Sequence, residues 1–323
     1  MKNKEGNGET KMQTQMQTGP SPAFKGKNWR VWWQLTRPHT LTAAFVPVLL
    51  GTVLALPLTS IHLGLFTAML MACLLIQAAT NMFNEYYDFK RGLDNEHSVG
   101  IGGAIVREGI QPSTVMKIAL SLYGISIALG VYICMNSSWW LAVIGLVSMA
   151  VGYLYTGGPI PIAYTPFGEL FAGFFMGMLI ILIAFYIQTG QITLISVLIS
   201  VPIVITVGAI LLANNIRDHD GDKENGRRTL AILLGQQRAI ILLAGMFILS
   251  YVWVFTLIGL NFTSAWLALV LLSTPKALKA IKGFIGKTKP VQMVPAMIAT
   301  AQTNTIFGLL LSIGLFLGHF LNN

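Results

Sequence analysis

The feature that most constrains this chain is a run of apolar stretches, most of them charge-free, each close to the length that crosses a lipid bilayer. They fall at about 39–57, 61–83, 115–135, 139–156, 168–188, 192–213, 239–259, 263–281 and 296–319. A hydrocarbon core about 30 Å thick takes about 20 apolar residues as a helix. Inside it, backbone N–H and C=O groups must bond within their own segment. The windows therefore predict an all-α membrane protein of about nine transmembrane helices, with its termini on opposite faces. Only 10% of the 323 residues are charged and 54% are hydrophobic, against roughly 25% charged in a soluble domain, which excludes a soluble globule. The connections at 57–60 and 136–138 are short enough to make antiparallel hairpins of the helices they join.

Polar, Gln- and Thr-rich sequence precedes the first window, so residues 1–28 read as a disordered cytoplasmic tail and 29–323 as the membrane domain. No positive-then-apolar pattern ending in a cleavage site opens the chain. Cys73 and Cys134 lie inside apolar windows and read as packing residues. Orientation follows from Lys and Arg, which are retained on the cytoplasmic side. All 21 fall in four groups: before the first window, from the end of the second to the start of the third, after the sixth, and around the connection after the eighth, from the end of that window onward. That places the N-terminus in the cytoplasm and the C-terminus across the membrane. The twelve carboxylates lie on or next to the same face, Glu169 at the start of the fifth window included, which the rule for Lys and Arg does not require.

Those carboxylates form two matching clusters. One, after the second window, holds Asn84, Glu85, Asp88 and Asp94; the other, after the sixth, holds Asn214, Asp218, Asp220, Asp222 and Glu224. If each helix continues past its apolar end, Asn84 and Asp88 share one face, and Asn214, Asp218 and Asp222 form a stripe at i, i+4, i+8. Oxygen-only rows suit hard cations, and Mg²⁺ is usually held by one or two carboxylates together with substrate phosphate oxygens. With Arg91, Arg107, Lys223, Arg227 and Arg228 nearby, two facing rows would neutralise a diphosphate. The bland alternative is a set of solvated loop charges, which does not account for one spacing occurring at two equivalent places. That recurrence also suggests an internal repeat of about four helices around a central cavity open to the cytoplasmic side.

The segment Tyr153 to Glu169 is rich in Gly, Pro and Tyr and almost free of charge. It reads either as a rigid hairpin with interfacial aromatics or as a wall whose ring faces attract developing positive charge. Trp29, Trp32 and Trp33 read as an interfacial anchor, and the lysine-bearing stretch 276–289 as an amphipathic surface helix contacting headgroups. The histidines show no paired ligand spacing, and His219 reads as a bystander.

The segments Asn84 to Asp94, Gly102 to Arg107, Tyr155 to Pro159 and Asn214 to Leu230 resemble those of the UbiA-type intramembrane prenyltransferases, and the resemblance runs from about Arg30 onward. Within that superfamily they are similar to the branch that prenylates 1,4-dihydroxy-2-naphthoate in menaquinone synthesis. Two departures are Glu85, where Asp is more usual, and a six-residue step from Asp88 to Asp94 in place of four. The resemblance implies a polyprenyl diphosphate donor, Mg²⁺, a naphthoate acceptor prenylated with loss of CO₂ and diphosphate, and a multi-pass enzyme of the cell membrane. It implies Asn84, Asp88, Asp94, Asp218 and Asp222 as metal ligands, with Asp88, Asp218 and Asp222 catalytic. Arg91, Arg107 and Lys223 would hold diphosphate, Asn214 either substrate, and Tyr87 and Tyr155 would shield the allylic cation. Membrane lipid, and no nucleic acid, completes the expected partners. Rival readings are another acceptor, such as 4-hydroxybenzoate, or a cation-coupled transporter, which would place ionisable groups at mid-membrane.

Overall fold

Every apolar window is helical, as a lipid-embedded backbone requires. The computed structural model describes residues 29–93 and 103–321, with no strand among them. In chain order the elements are α1 (Trp29–Leu35), α2 (Pro38–Ala55), α3 (Leu63–Lys90), α4 (Ala104–Glu108), α5 (Pro112–Met135), α6 (Trp140–Leu154) and α7 (Gly168–Ala172). A π-helical turn over Gly173–Leu179 joins α7 to α8 (Ile180–Thr189). Then come α9 (Leu194–Arg217), α10 (His219–Glu224), α11 (Leu230–Leu234), α12 (Gln236–Gly259), a 3₁₀ segment at Ala265–Ser273, α13 (Thr274–Phe284) and α14 (Pro290–Leu321).

The nine windows are not nine equivalent spans. Six helices are individually long and apolar enough to cross a bilayer: α3, α5, α7 through α8, α9, α12 and α14; α1 and α2, bent by 62°, make a seventh if taken as one. At 15 residues α6 reaches about 22 Å, and the 263–281 window divides into the 3₁₀ segment and α13. Ala277, Ala280 and Phe284 bury one face of α13 while Lys279 and Lys282 stay exposed, the amphipathic pattern expected there. Trp29 and Trp33 of α1 are likewise exposed, opposite buried Val31 and Leu35.

Helix α9 is central, packing on α12, α14, α7 and the π turn, while α3 runs along α5 and α2 lies against α8 and α14. Between apolar helices in lipid, close approach of backbones replaces hydrophobic drive, and small residues permit it. Gly177 shows this: a Cβ there would sit 2.8 Å from Val204 Cα and N of α9. Beside this contact, α2, α3, α5, α6, α8 and α9 enclose a cavity of about 450 Å³. Its lining on α3 runs from Met69 to Asn84, about 22 Å of helix. One end is apolar, with Cys73, Cys134 and Trp139; the other carries Gln77, Asn81, Asn84 and Asn214. The two cysteines are buried, as packing residues should be, and also face this space.

Candidate active site

The polar end of the cavity is built where α3 outruns its apolar stretch. Asn84 and Asp88 lie one turn apart on its final turns, and Asn84 Oδ1 accepts from the Thr156 hydroxyl at 2.7 Å. Across from them, α9 ends at Arg217, and Asp218 is both its C-cap and the N-cap of α10. The expected continuous stripe is therefore broken at Asp218, yet its spacing persists. Asp218 N–H donates to Asn214 O at 3.0 Å and Asp222 N–H to Asp218 O at 2.8 Å.

One guanidinium joins the two clusters. Arg227 Nη1 lies 3.1 Å from Asp222 Oδ1, and Nη2 lies 3.2 Å from Asp88 Oδ1. The Tyr164 ring sits beneath it, 5.0 Å from guanidinium carbon to centroid, and takes Arg91 at 5.5 Å as well. Cations over ring faces are held electrostatically, so the 153–169 loop contributes the platform on which both arginines rest. Arg91 also donates to the carbonyls of Thr156 and Gly158, the latter at 3.0 Å, and so pins that loop to the end of α3.

The remaining expected site residues are placed less centrally. Asp218 is held by both arms of Arg217, at 2.7 and 2.6 Å. Lys223 is exposed on α10, and Arg107 is exposed on α4 with its guanidinium near Gly103. Asp94 lies outside the described residues. Tyr87 bonds Tyr153 hydroxyl to hydroxyl and packs edge-on against it, within a cluster apart from the cavity lining. Tyr155 and Asn214 do line the cavity. His219 Nδ1 pairs with the neighbouring Asp220 Oδ1 at 2.7 Å.

Burial pushes the Asp222 carboxyl up to about 6; Arg227 opposes this, while Asp218 and Asp88 reinforce it. Asp222 Oδ2 is buried and accepts no hydrogen bond. An open oxygen on a carboxylate, with Asp88 held on the same guanidinium and Asn84 one turn before Asp88 on α3, fits a hard divalent cation such as Mg²⁺. Among the described residues, no three His, Cys, Asp or Glu side chains converge to chelate an ion unaided, which suits a cation that shares phosphate oxygens with its substrate.

Arg227 and Tyr164 are more central than their sequence suggests. Arg227 stands out only as one cation among several, and Tyr164 only as one aromatic in a Pro-rich loop. Glu169, its Oε1 accepting from Asn215 at 2.9 Å, carries no local signal at all.

The UbiA prenyltransferase family model matches residues 44–291. The chain is 60% identical over 304 residues to the 1,4-dihydroxy-2-naphthoate octaprenyltransferase of Bacillus subtilis, covering 94% of this chain and 97% of that one. It is 30% identical to the human UbiA prenyltransferase domain-containing protein 1, over 87% of this chain and 82% of the other. Among solved structures, a UbiA homolog from Archaeoglobus fulgidus bound to DMAPP and Mg²⁺ matches with a TM-score of 0.59 at 16% identity, covering 87% of this chain and 99% of that one. A homolog from Aeropyrum pernix matches at 0.62 and 15%, covering 90% and 99%.

Proposed function

Since the chain belongs to the UbiA prenyltransferase family, we propose from that membership and the site's geometry how it works and on what. It is a multi-pass membrane prenyltransferase that moves a polyprenyl group from its diphosphate to 1,4-dihydroxy-2-naphthoate in menaquinone biosynthesis, releasing CO₂ and diphosphate to give demethylmenaquinol, the two-electron-reduced form of demethylmenaquinone. The observation that carries the chemistry is the meeting of Asp88 and Asp222 on Arg227, with Asp88 one helical turn beyond Asn84 at the polar end of a long apolar cavity.

Asn84, Asp88 and Asp222, with Asp218 adjacent, would hold Mg²⁺. When bound, Mg²⁺ neutralises the charge that builds on the departing diphosphate. Arg227 is placed to bind that diphosphate as the allylic C–O bond breaks and the electron pair leaves with oxygen. The apolar walls take the prenyl tail and keep water from the allylic carbon. Tyr155, on the wall, presents a ring face where positive charge develops. Arg91 acts through the loop, holding Tyr164 under Arg227. The aspartate-bearing face is cytoplasmic and the membrane is the cell membrane.

Purified protein in detergent should make a prenylated naphthoquinol lacking the carboxylate, or the quinone that air forms from it, when given polyprenyl diphosphate, 1,4-dihydroxy-2-naphthoate and Mg²⁺, and none with chelator, as read by mass spectrometry. Product only with 4-hydroxybenzoate would overturn the acceptor. No product with any acceptor would overturn the enzyme reading.

A further inference from the structure

The cavity carries one formal charge. Among the described residues that line it, Arg37 alone is ionic; its polar companions Gln77, Asn81, Asn84 and Asn214 are neutral amides. A cation facing an apolar space inside a membrane protein is costly, and such residues mark ligand sites.

Its placement is overdetermined. Arg37 precedes Pro38, which disfavours the right-handed helical region, and adopts left-handed angles of φ 50° and ψ 67°. Residues with a Cβ hold that conformation where their surroundings impose it, often at binding sites. Here Asn81 Nδ2 donates to Thr36 O at 2.8 Å and to Thr40 Oγ1 at 2.9 Å, gripping the chain on both sides of Arg37. Thr40 Oγ1 in turn donates to Arg37 O at 2.9 Å. Behind the guanidinium stands Glu85, only 2% exposed, with Oε2 3.5 Å from Arg37 Nη2 and Oε1 accepting from Ile105 N–H at 3.2 Å. Glu85, a member of the first carboxylate cluster, is committed to Arg37 and α4.

Charge and shape select the ligand. Arg37 and Glu85 together are neutral, and a guanidinium has five N–H donors, of which Glu85 engages one. Such a pair suits a monoanion, whereas a multiply charged diphosphate has Arg227 and its carboxylate-held cation. A planar fork matches a planar carboxylate, and flat apolar rings match the walls. Resting on the acceptor reading above, the geometry points to Arg37 as the residue that binds the carboxylate of the aromatic acceptor, with Glu85 as the positioning residue behind it.

The test uses the full chain in detergent, with R37Q and R37K. R37Q should raise the KM for 1,4-dihydroxy-2-naphthoate by at least about tenfold and leave the KM for polyprenyl diphosphate within about twofold. It should also erase the preference over uncarboxylated 1,4-dihydroxynaphthalene, since a site built to bond a polar group rejects analogues lacking it. R37K, which keeps the charge and loses the fork, should fall between, and it serves if R37Q does not fold. A raised donor KM, or equal losses with acid and diol, would overturn the assignment. Equilibrium binding of 1-hydroxy-2-naphthoate against 1-naphthol needs no turnover. Carboxylate-dependent binding that R37Q or R37K weakens, in a protein making no product, would remove the proposed reaction and leave Arg37 standing; carboxylate-independent binding would remove Arg37.

Discussion

Asp222 is the residue on which the site's electrostatics turn. Its carboxyl is pushed up to about 6 chiefly by burial, above an ordinary value of about 4. A raised carboxyl takes up a proton in the folded protein that the unfolded chain would not hold between those values. In the metal-free protein this group therefore adds stability as pH falls through 6 and withdraws it as pH rises. Metal binding runs the other way, because the ligand must lose its proton. The Mg²⁺ concentration for half-maximal turnover should be flat above about pH 7 and rise about tenfold from pH 7 to pH 5, measured by Mg²⁺ titration at fixed ionic strength. Asp222→Ala or Asp88→Ala should lower kcat by at least about 100-fold while leaving the protein in the membrane at wild-type abundance. Retained turnover in either variant would remove that carboxylate from the site.

At the scale of the elements, legibility followed locality. Long windows without charge have one stable solution in lipid, so the helices could be read directly, as could the amphipathic face of α13. The clusters could be read as well, because Asn84 and Asp88, or Asn214 and Asp218, are neighbours along one helix. What stayed hidden depends on contacts between distant segments. Arg227 meets Asp88 and Tyr164 across three elements, and nothing in its sequence neighbourhood distinguishes it from Arg228, which is exposed. The break at Asp218 was hidden for another reason: its i+4 backbone bonds survive, so periodicity alone reads as unbroken helix. Tyr87 and Tyr155 look alike in sequence, but helix phase turns one toward Tyr153 and the other into the cavity wall. The π turn over Gly173–Leu179 was equally invisible, since it is set by the approach of α9. Gly177→Val should force Val204 away and cost about 1–3 kcal/mol, lowering the melting temperature in detergent, whereas Gly145→Ala, where an added Cβ meets nothing within 4 Å, should leave it unchanged.

The whole molecule is polarised, with every described carboxylate near one face and an apolar chamber beneath. If that face is cytoplasmic, a single cysteine replacing Lys223 in a Cys-free background should react with an impermeant thiol reagent only from inside. One replacing Ser137 should react only from outside, and the reverse pattern would invert the topology. The Arg227 bridge has a consequence for how such an enzyme is made. Two acidic helix ends brought together in a folding membrane protein would repel one another unless an ion arrived with them, yet here the chain carries its own counter-charge. On the proposed metal site, biogenesis would be uncoupled from metal supply: the newly inserted polypeptide would complete its bundle in a cell short of divalent cations and wait, assembled and silent. Exhaustive chelation should accordingly abolish turnover while shifting the melting temperature by no more than about 2 °C, and readdition of Mg²⁺ should restore activity without a refolding lag.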